Sequence, residues 1–262
     1  MPRTIHQLFD LNGRTALITG GSRFLGLQMA HALGEAGARI MLCARKADEL
    51  EAATAELQAA GIDTRWVAAD CAVEADLHKL VSETLQRMGD VDILVNNAGA
   101  TWGAPAQDHP LDAWDKVMNL NVRSMFLLSQ MVGKQSMLAR GGRIINMASI
   151  AGLGGNPPGM TSIAYNTSKA AVINFTRTLA CEWGRYGINV NAICPGFFPS
   201  KMTAGTLAVL GEDHLAASAP LHRLGDEEDL KGVTVLLASD AGKHITGQCL
   251  AVDGGISAYM RS

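Results

Sequence analysis

The chain has 262 residues, 48% of them hydrophobic and 18% charged against a usual charged share of about 25%, which excludes disordered and fibrous classes. Its formal net charge is −3 and no basic run exceeds the pair Arg45–Lys46, so neither nucleic acid nor an anionic membrane is an expected partner. With no apolar leader ending in small residues and no run of about 18 apolar residues, a soluble cytoplasmic protein is expected.

In chain order, apolar or β-branched runs near 14–19, 38–44, 64–69, 91–95, 142–148, 188–194 and 249–252 predict strands, with amphipathic helical stretches between them. The strands are apolar throughout rather than alternating, as a sheet covered on both faces requires. The predicted fold is therefore α/β, a doubly wound, Rossmann-like parallel sheet of about seven strands in one domain over 1–262. The least periodic stretch, 195–225, is expected as an insertion over the carboxyl edge of the sheet, where ligands bind in this architecture. The acidic run Asp226-Glu227-Glu228-Asp229 is expected to form the first turn of the following helix rather than to hold a metal. Seven scattered histidines and five cysteines without a CxxC give no metal or disulfide pattern, and reduced, mostly buried thiols are expected.

The 28 glycines exceed the usual share of about 7% and call for tight turns or close backbone approaches. The first strand runs into Gly20-Gly21-Ser22-Arg23-Phe24-Leu25-Gly26 and then a helix. Gly20 permits the sharp turn, Gly26 allows close packing of the helix on the sheet, and the helix start can cradle a pyrophosphate. Further along, Asn96-Asn97-Ala98-Gly99 ends the fourth strand, Asn121 lies in VMNLNV, Ser149 follows the fifth strand, and Tyr165 precedes Lys169 by four residues. That spacing puts phenol and ammonium on one helix face, where opposite charge would favour the phenolate, and Ser149 at a strand end could hydrogen-bond a carbonyl oxygen.

With the TGxxxxxG turn, these segments resemble the short-chain dehydrogenase/reductase family over nearly the whole chain, in a branch similar to gluconate 5-dehydrogenases and 3-oxoacyl-carrier-protein reductases. The resemblance implies hydride transfer between a ketone and a secondary alcohol. Tyr165 would be the general acid/base, Lys169 would lower its pKa and hold the nicotinamide ribose, Ser149 would orient the carbonyl, and Asn121 would support a water relay. It also implies a cofactor site at Gly20, Ser22, Arg23, Phe24, Leu25, Arg45, Asp70, Cys71, Asn97, Ala98, Gly99, Tyr165, Lys169, Pro195, Gly196 and Phe198. Asn97 is expected to pin the sheet as much as to touch a cofactor, and Asp70 to contact adenine or cap its strand. Ala44 stands where an NAD-binding member carries an acid, and Arg45 follows, so NADP(H) is expected over NAD(H), with Arg23 as a second cation and Lys46 a solvated bystander.

Two departures from the family pattern stand out. Phe24 occupies a usual glycine position, where its ring either turns aside or crowds the cofactor. The interval from Ser149 to Tyr165 is 16 residues rather than 13, a lengthened loop expected to shape specificity. Phe197, Phe198, Met202 and Leu207 are expected as an apolar lid or as ordinary packing, Met160 suits a moderately apolar substrate, and Lys201 is the one cation at the mouth. The partner is a small carbonyl or alcohol substrate, the assembly implied by resemblance is a homotetramer, and the alternative function is a catalytically weak NADP(H)-binding sensor or scaffold.

Overall fold

The structure is a computed structural model and describes residues 2–156, 159–200 and 202–258. Strands β1 (Thr15–Thr19), β2 (Arg39–Ala44), β3 (Thr64–Ala68), β4 (Ile93–Asn96), β5 (Gly142–Met147), β6 (Ile188–Pro195) and β7 (Cys249–Val252) form one parallel sheet in the order β3-β2-β1-β4-β5-β6-β7. Helices α1 (Ile5–Phe9), α2 (Phe24–Glu35), α3 (Ala47–Ala59), α4 (Glu74–Met88), α5 (Leu111–Met118), α6 (Ser124–Val132), α7 (Ile163–Trp183), α8 (Ala204–Leu210), α9 (Glu212–Ala217) and α10 (Lys231–Ala238) accompany it. Each predicted strand lies within two residues of its expected bounds.

The sheet is sandwiched because successive side chains of a strand point to opposite faces and both faces are apolar. Ala16, Ile18, Ile40, Leu42 and Val95 join Met29 and Leu33 of α2, Leu50 and Leu57 of α3 and Leu237 of α10. Leu17, Met41, Leu94, Ile144 and Val190 face the other way, onto Leu77 and Leu80 of α4, Leu128 of α6 and Leu179 of α7. The strand order reverses between β1 and β4, and the carboxyl ends there open onto the crevice where doubly wound sheets take ligands.

Buried amides bind the centre of the sheet to its helices. Asn96 donates to Asn146 (2.9 Å) and to Ser129 of α6 (3.1 Å), and Asn146 donates to Thr176 of α7 (3.0 Å). Unmade, such bonds would cost about 1–3 kcal/mol each, so they constrain which helix faces inward.

Three local features differ from expectation. Residues Asp226–Asp229 do not form the first turn of α10, which begins at Lys231 without an acid in that turn. Asp229 instead grips Arg223 through two bonds of 2.6 Å, and also accepts from the Asp226 N–H, while Asp226 accepts from the Glu228 N–H. These bonds close a turn ahead of the helix and occupy the carboxylates that capping would use. The 195–225 stretch contains the short helices α8 and α9, too brief to show a clear apolar period. Between α5 and α6 the chain makes a π-helical turn, Asn119–Arg123, a form that no sequence period announces and that often marks functional sites. Among the described residues, no helix is long and apolar enough to cross a membrane.

Candidate active site

The turn after β1 is built by exclusion of side chains. Gly20 has φ +63, and a Cβ on Gly26 would lie 2.1 Å from the Gly20 carbonyl oxygen, a contact no side chain tolerates. Asn97, just beyond β4, donates through Nδ2 to the carbonyls of Thr19 (2.9 Å) and Gly20 (3.0 Å), while its N–H and that of Ala98 both donate to Thr19 Oγ1. Both expectations for Asn97 concern one place, since its amide pins the very turn it borders. Arg23, at the N-cap of α2, makes no side-chain capping bond, so the positive end of α2 keeps backbone donors for a ligand. A turn that opens on two glycines and leads into such a helix start fits the pyrophosphate of a dinucleotide.

Phe24 has φ +49, the left-handed region that glycine occupies without cost. Its ring turns outward, 42% exposed, with the Arg23 guanidinium 5.8 Å from its centroid. Leu25 packs against the core, and Ser22 is buried with its hydroxyl 3.5 Å from Glu49.

At the far end of this groove, Arg45 follows β2 and is exposed. Arg23 and Lys46 both reach Glu49 Oε1, at 2.8 Å and 3.1 Å. Lys46 stays largely solvated while pairing with Glu49, which the first turn of α3 places three residues on. Asp70 accepts from the Ala72 N–H (2.9 Å), closing the turn after β3 as a strand-end cap does. Cys71 is buried with its sulfur 3.9 Å from that of Cys43, so its thiol faces the core.

The chemistry-bearing side chains gather where β4, β5 and α7 meet. Ser149 directly follows Ala148 at the end of β5, and its hydroxyl accepts from the Ala151 N–H (3.1 Å). Tyr165 and Lys169 stand one turn apart on α7, with Lys169 Nζ 5.5 Å from the phenol ring centroid. Lys169 is buried and donates to the Met147 carbonyl (2.6 Å). A Cβ on Gly99 would lie 3.3 Å from Asn121 Oδ1 and 3.7 Å from Lys169 Nζ, so the three expected positions do converge.

One electrostatic expectation is corrected by burial. The Tyr165 phenol is pushed above its ordinary value by burial, partly offset by hydrogen bonding with the Ser149 side chain, so its net shift is upward and not the expected lowering. Burial also lowers the Lys169 ammonium to about 8. Desolvation outweighs an ammonium that stands over the ring face while bonding a backbone carbonyl. The side chain of Asn121 is fully engaged as well: Oδ1 accepts from the Ala100 N–H, and Nδ2 donates to the Ala100 carbonyl and to Ser168 Oγ. Both of its amide hydrogens are committed by these bonds.

At the end of β6, Pro195 and the following Gly196 carry the chain over the sheet edge, and a Cβ on Gly196 would lie 2.7 Å from Asp253 Cβ. The Phe198 ring is not part of a lid: it is buried in the core, in space left by Gly225. Phe197 lines a cavity of about 460 Å³ between this segment and the end of β7, with Arg223, Leu224 and Asp253. Ser149, Tyr165 and Lys169 do not line it. Met202 is exposed. Lys201, and Pro157 and Pro158 of the lengthened loop, lie outside the described residues; the rest of that loop is held by Asn156, which donates to Ser162 Oγ (2.7 Å) and accepts from Asn166 Nδ2 (2.9 Å).

Residues 21–257 match a family model described as Enoyl-(Acyl carrier protein) reductase. The chain is 40% identical over 258 residues to the rhamnolipids biosynthesis 3-oxoacyl-[acyl-carrier-protein] reductase of Pseudomonas aeruginosa, covering 96% of this chain and 99% of that one. It is 36% identical to the gluconate 5-dehydrogenase of Gluconobacter oxydans, over 97% and 98% of the two chains. Among solved structures it is similar to a gluconate 5-dehydrogenase from Burkholderia cenocepacia in complex with NADP and tartrate, with a TM-score of 0.92, 33% identity and coverage of 98% and 100%.

The backbone at Phe24 yields a stability test. Replacing Phe24 by Gly removes a left-handed strain of about 1–2 kcal/mol at a smaller cost in unfolded-chain entropy, for a net gain of about 0.5–1 kcal/mol. Phe24→Ala keeps the strain and shows no such gain; equilibrium urea unfolding of both variants against wild type is the measurement.

Proposed function

The chain belongs to the short-chain dehydrogenase/reductase family, and from that premise we propose that it interconverts a ketone and a secondary alcohol with NADP(H), Tyr165 acting as general acid/base. The observation that carries this is the convergence of Ser149, Tyr165 and buried Lys169 at the carboxyl edge, beside the glycine turn.

When bound, the nicotinamide supplies or takes the hydride. Gly20, the start of α2, Asn97, Ala98 and Gly99 would hold the dinucleotide's phosphates and inner ribose, with Pro195 and Gly196 on the nicotinamide side. Asp70 and the backbone of Cys71 would border the adenine, and Arg23 and Arg45 would receive a 2′-phosphate.

Burial keeps the Tyr165 phenol protonated at neutral pH, the state a proton donor to a carbonyl oxygen requires. Ser149 would position that oxygen by hydrogen bonding, and the Lys169 ammonium would stabilise the phenolate left after donation. The presence of Ser149, Tyr165 and Lys169 together favours turnover over a sensor or scaffold without catalysis.

We read the chain as one catalytic unit with 195–225 covering the substrate, and as a homotetramer. Exposed Phe126 on α6 and Ile163 on α7 support self-association through this helical face. Multi-angle light scattering at micromolar concentration checks the tetramer.

Spectrophotometric screening of NADPH oxidation against β-ketoacyl thioesters, keto sugar acids, cyclic ketones and aryl ketones tests the activity and narrows the substrate. Tyr165→Phe should lower kcat by about 100-fold or more while leaving NADPH binding intact; unchanged turnover would refute the role. Because the ammonium of Lys169 has a pKa of about 8, its charge is present below that pH and lost above it. The kcat for ketone reduction should therefore fall as pH rises through about 8, which a pH–rate profile at saturating substrate measures.

A further inference from the structure

Of the two cations expected at a 2′-phosphate, Arg23 and Arg45, Arg23 does not stand free. Glu49, in the first turn of α3, places one carboxylate oxygen against both Arg23 Nη1 (2.8 Å) and Lys46 Nζ (3.1 Å), and the other 3.5 Å from Ser22 Oγ. It thereby bridges the turn after β1 to the turn after β2. Its side chain is less exposed than either cation, at 21% against 44% and 60%, so the anion sits inside the cluster with the cations around it. Arg45, on the same turn, takes no part in this cluster. One carboxylate is thus the internal counter-ion for two cations, and it engages the donor types, guanidinium, ammonium and hydroxyl, that recognise a phosphate monoester.

We propose that Glu49 is an internal competitor for the 2′-phosphate and sets how strongly this chain discriminates NADP(H) from NAD(H). The inference rests on the NADP(H) reading of the site. A phosphate approaching Arg23 must displace the carboxylate or share its donor while repelled by its charge, even with Arg45 beside it. A ribose bearing a free 2′-hydroxyl meets no such conflict, since a carboxylate can accept a hydrogen bond from it. Glu49 therefore weakens binding of the phosphorylated cofactor and leaves the other unharmed. It is a specificity residue for the cofactor, apart from the reacting atoms.

The test is direct binding by isothermal titration calorimetry. NADP+ and NAD+ are titrated into wild type, Glu49→Gln and Glu49→Ala, with thermal denaturation of the free proteins as a folding control. Glu49→Gln should tighten NADP+ by about 5- to 10-fold, the worth of two partly exposed ion pairs, while NAD+ stays within about 2-fold. Its NADP+ affinity should also fall more steeply with salt than that of wild type, because cations no longer neutralised internally are screened instead. Glu49→Ala should move in the same direction. Weaker NADP+ binding in both variants would overturn the proposal, showing that Glu49 positions Arg23 for the phosphate. Equal changes for the two cofactors would overturn it too. A wild type that binds NADP+ with no tightening in the variants sinks the role of Glu49 alone, whereas a wild type that binds neither cofactor sinks the NADP(H) reading with it.

Discussion

The side-chain amide of Asn97 is the tie on which the ligand edge depends. A parallel sheet pairs its strands by backbone bonds only as far as the strands extend, and the segments beyond their carboxyl ends must be held by something else. Asn97 supplies this at the switch point by donating to two successive carbonyls of the turn after β1. That turn can come so close only because Gly20 and Gly26 lack side chains; a Cβ on either would run into the Asn97 amide or the Gly20 carbonyl. The same packing sets where α2 begins and where its positive end lies.

A second set of amides carries this order across to α7. Asn121 links the segment after β4 to Ser168, and Ser168 in turn donates to the Tyr165 carbonyl, so the helix bearing the phenol is registered against the strand that ends at the glycine turn. The π-helical turn around Asn121 is part of this device. It places Asn121 between the backbone of Ala100 and the Ser168 side chain of α7. Buried Lys169 completes the frame by donating to Met147 at the end of β5. The cost is electrostatic, since both ionisable groups on this face of α7 are shifted towards their neutral forms.

Most of the architecture was legible in the sequence because it follows from short-range periodicity. Strands buried on both faces must be continuously apolar, and the intervening helices must be long enough to cross back over the sheet. The site was legible for a related reason: parallel strands all end on one edge, so Gly20, Asn97, Ser149 and Gly196, each placed just after a strand, come together whatever the helices do. Helix geometry sets Tyr165 and Lys169 on one face, and bonds from Asn121 and to Met147 bring that face to the edge. What escaped the sequence were matters of which partner a side chain chooses. The acids at 226–229 close a turn with Arg223 rather than beginning a helix; Phe198 turns into room left by Gly225, 27 positions later in the chain; Lys46 shares Glu49 with Arg23. Each outcome is settled by competition between neighbours that the chain brings together from a distance.

By itself, then, the sequence determined the layers, the strand positions and the residues assembled at the carboxyl edge, because hydrophobic periodicity and strand polarity are local rules with one global solution. Only the tertiary structure decided the state of those residues. A phenol's proton affinity depends on how much water surrounds it, and a cation's availability depends on which carboxylate reaches it first. Phe24 shows both halves. Its departure from glycine can be read from the sequence, but its left-handed backbone and part-exposed ring belong to the folded turn, which Asn97 clamps and Gly26 closes.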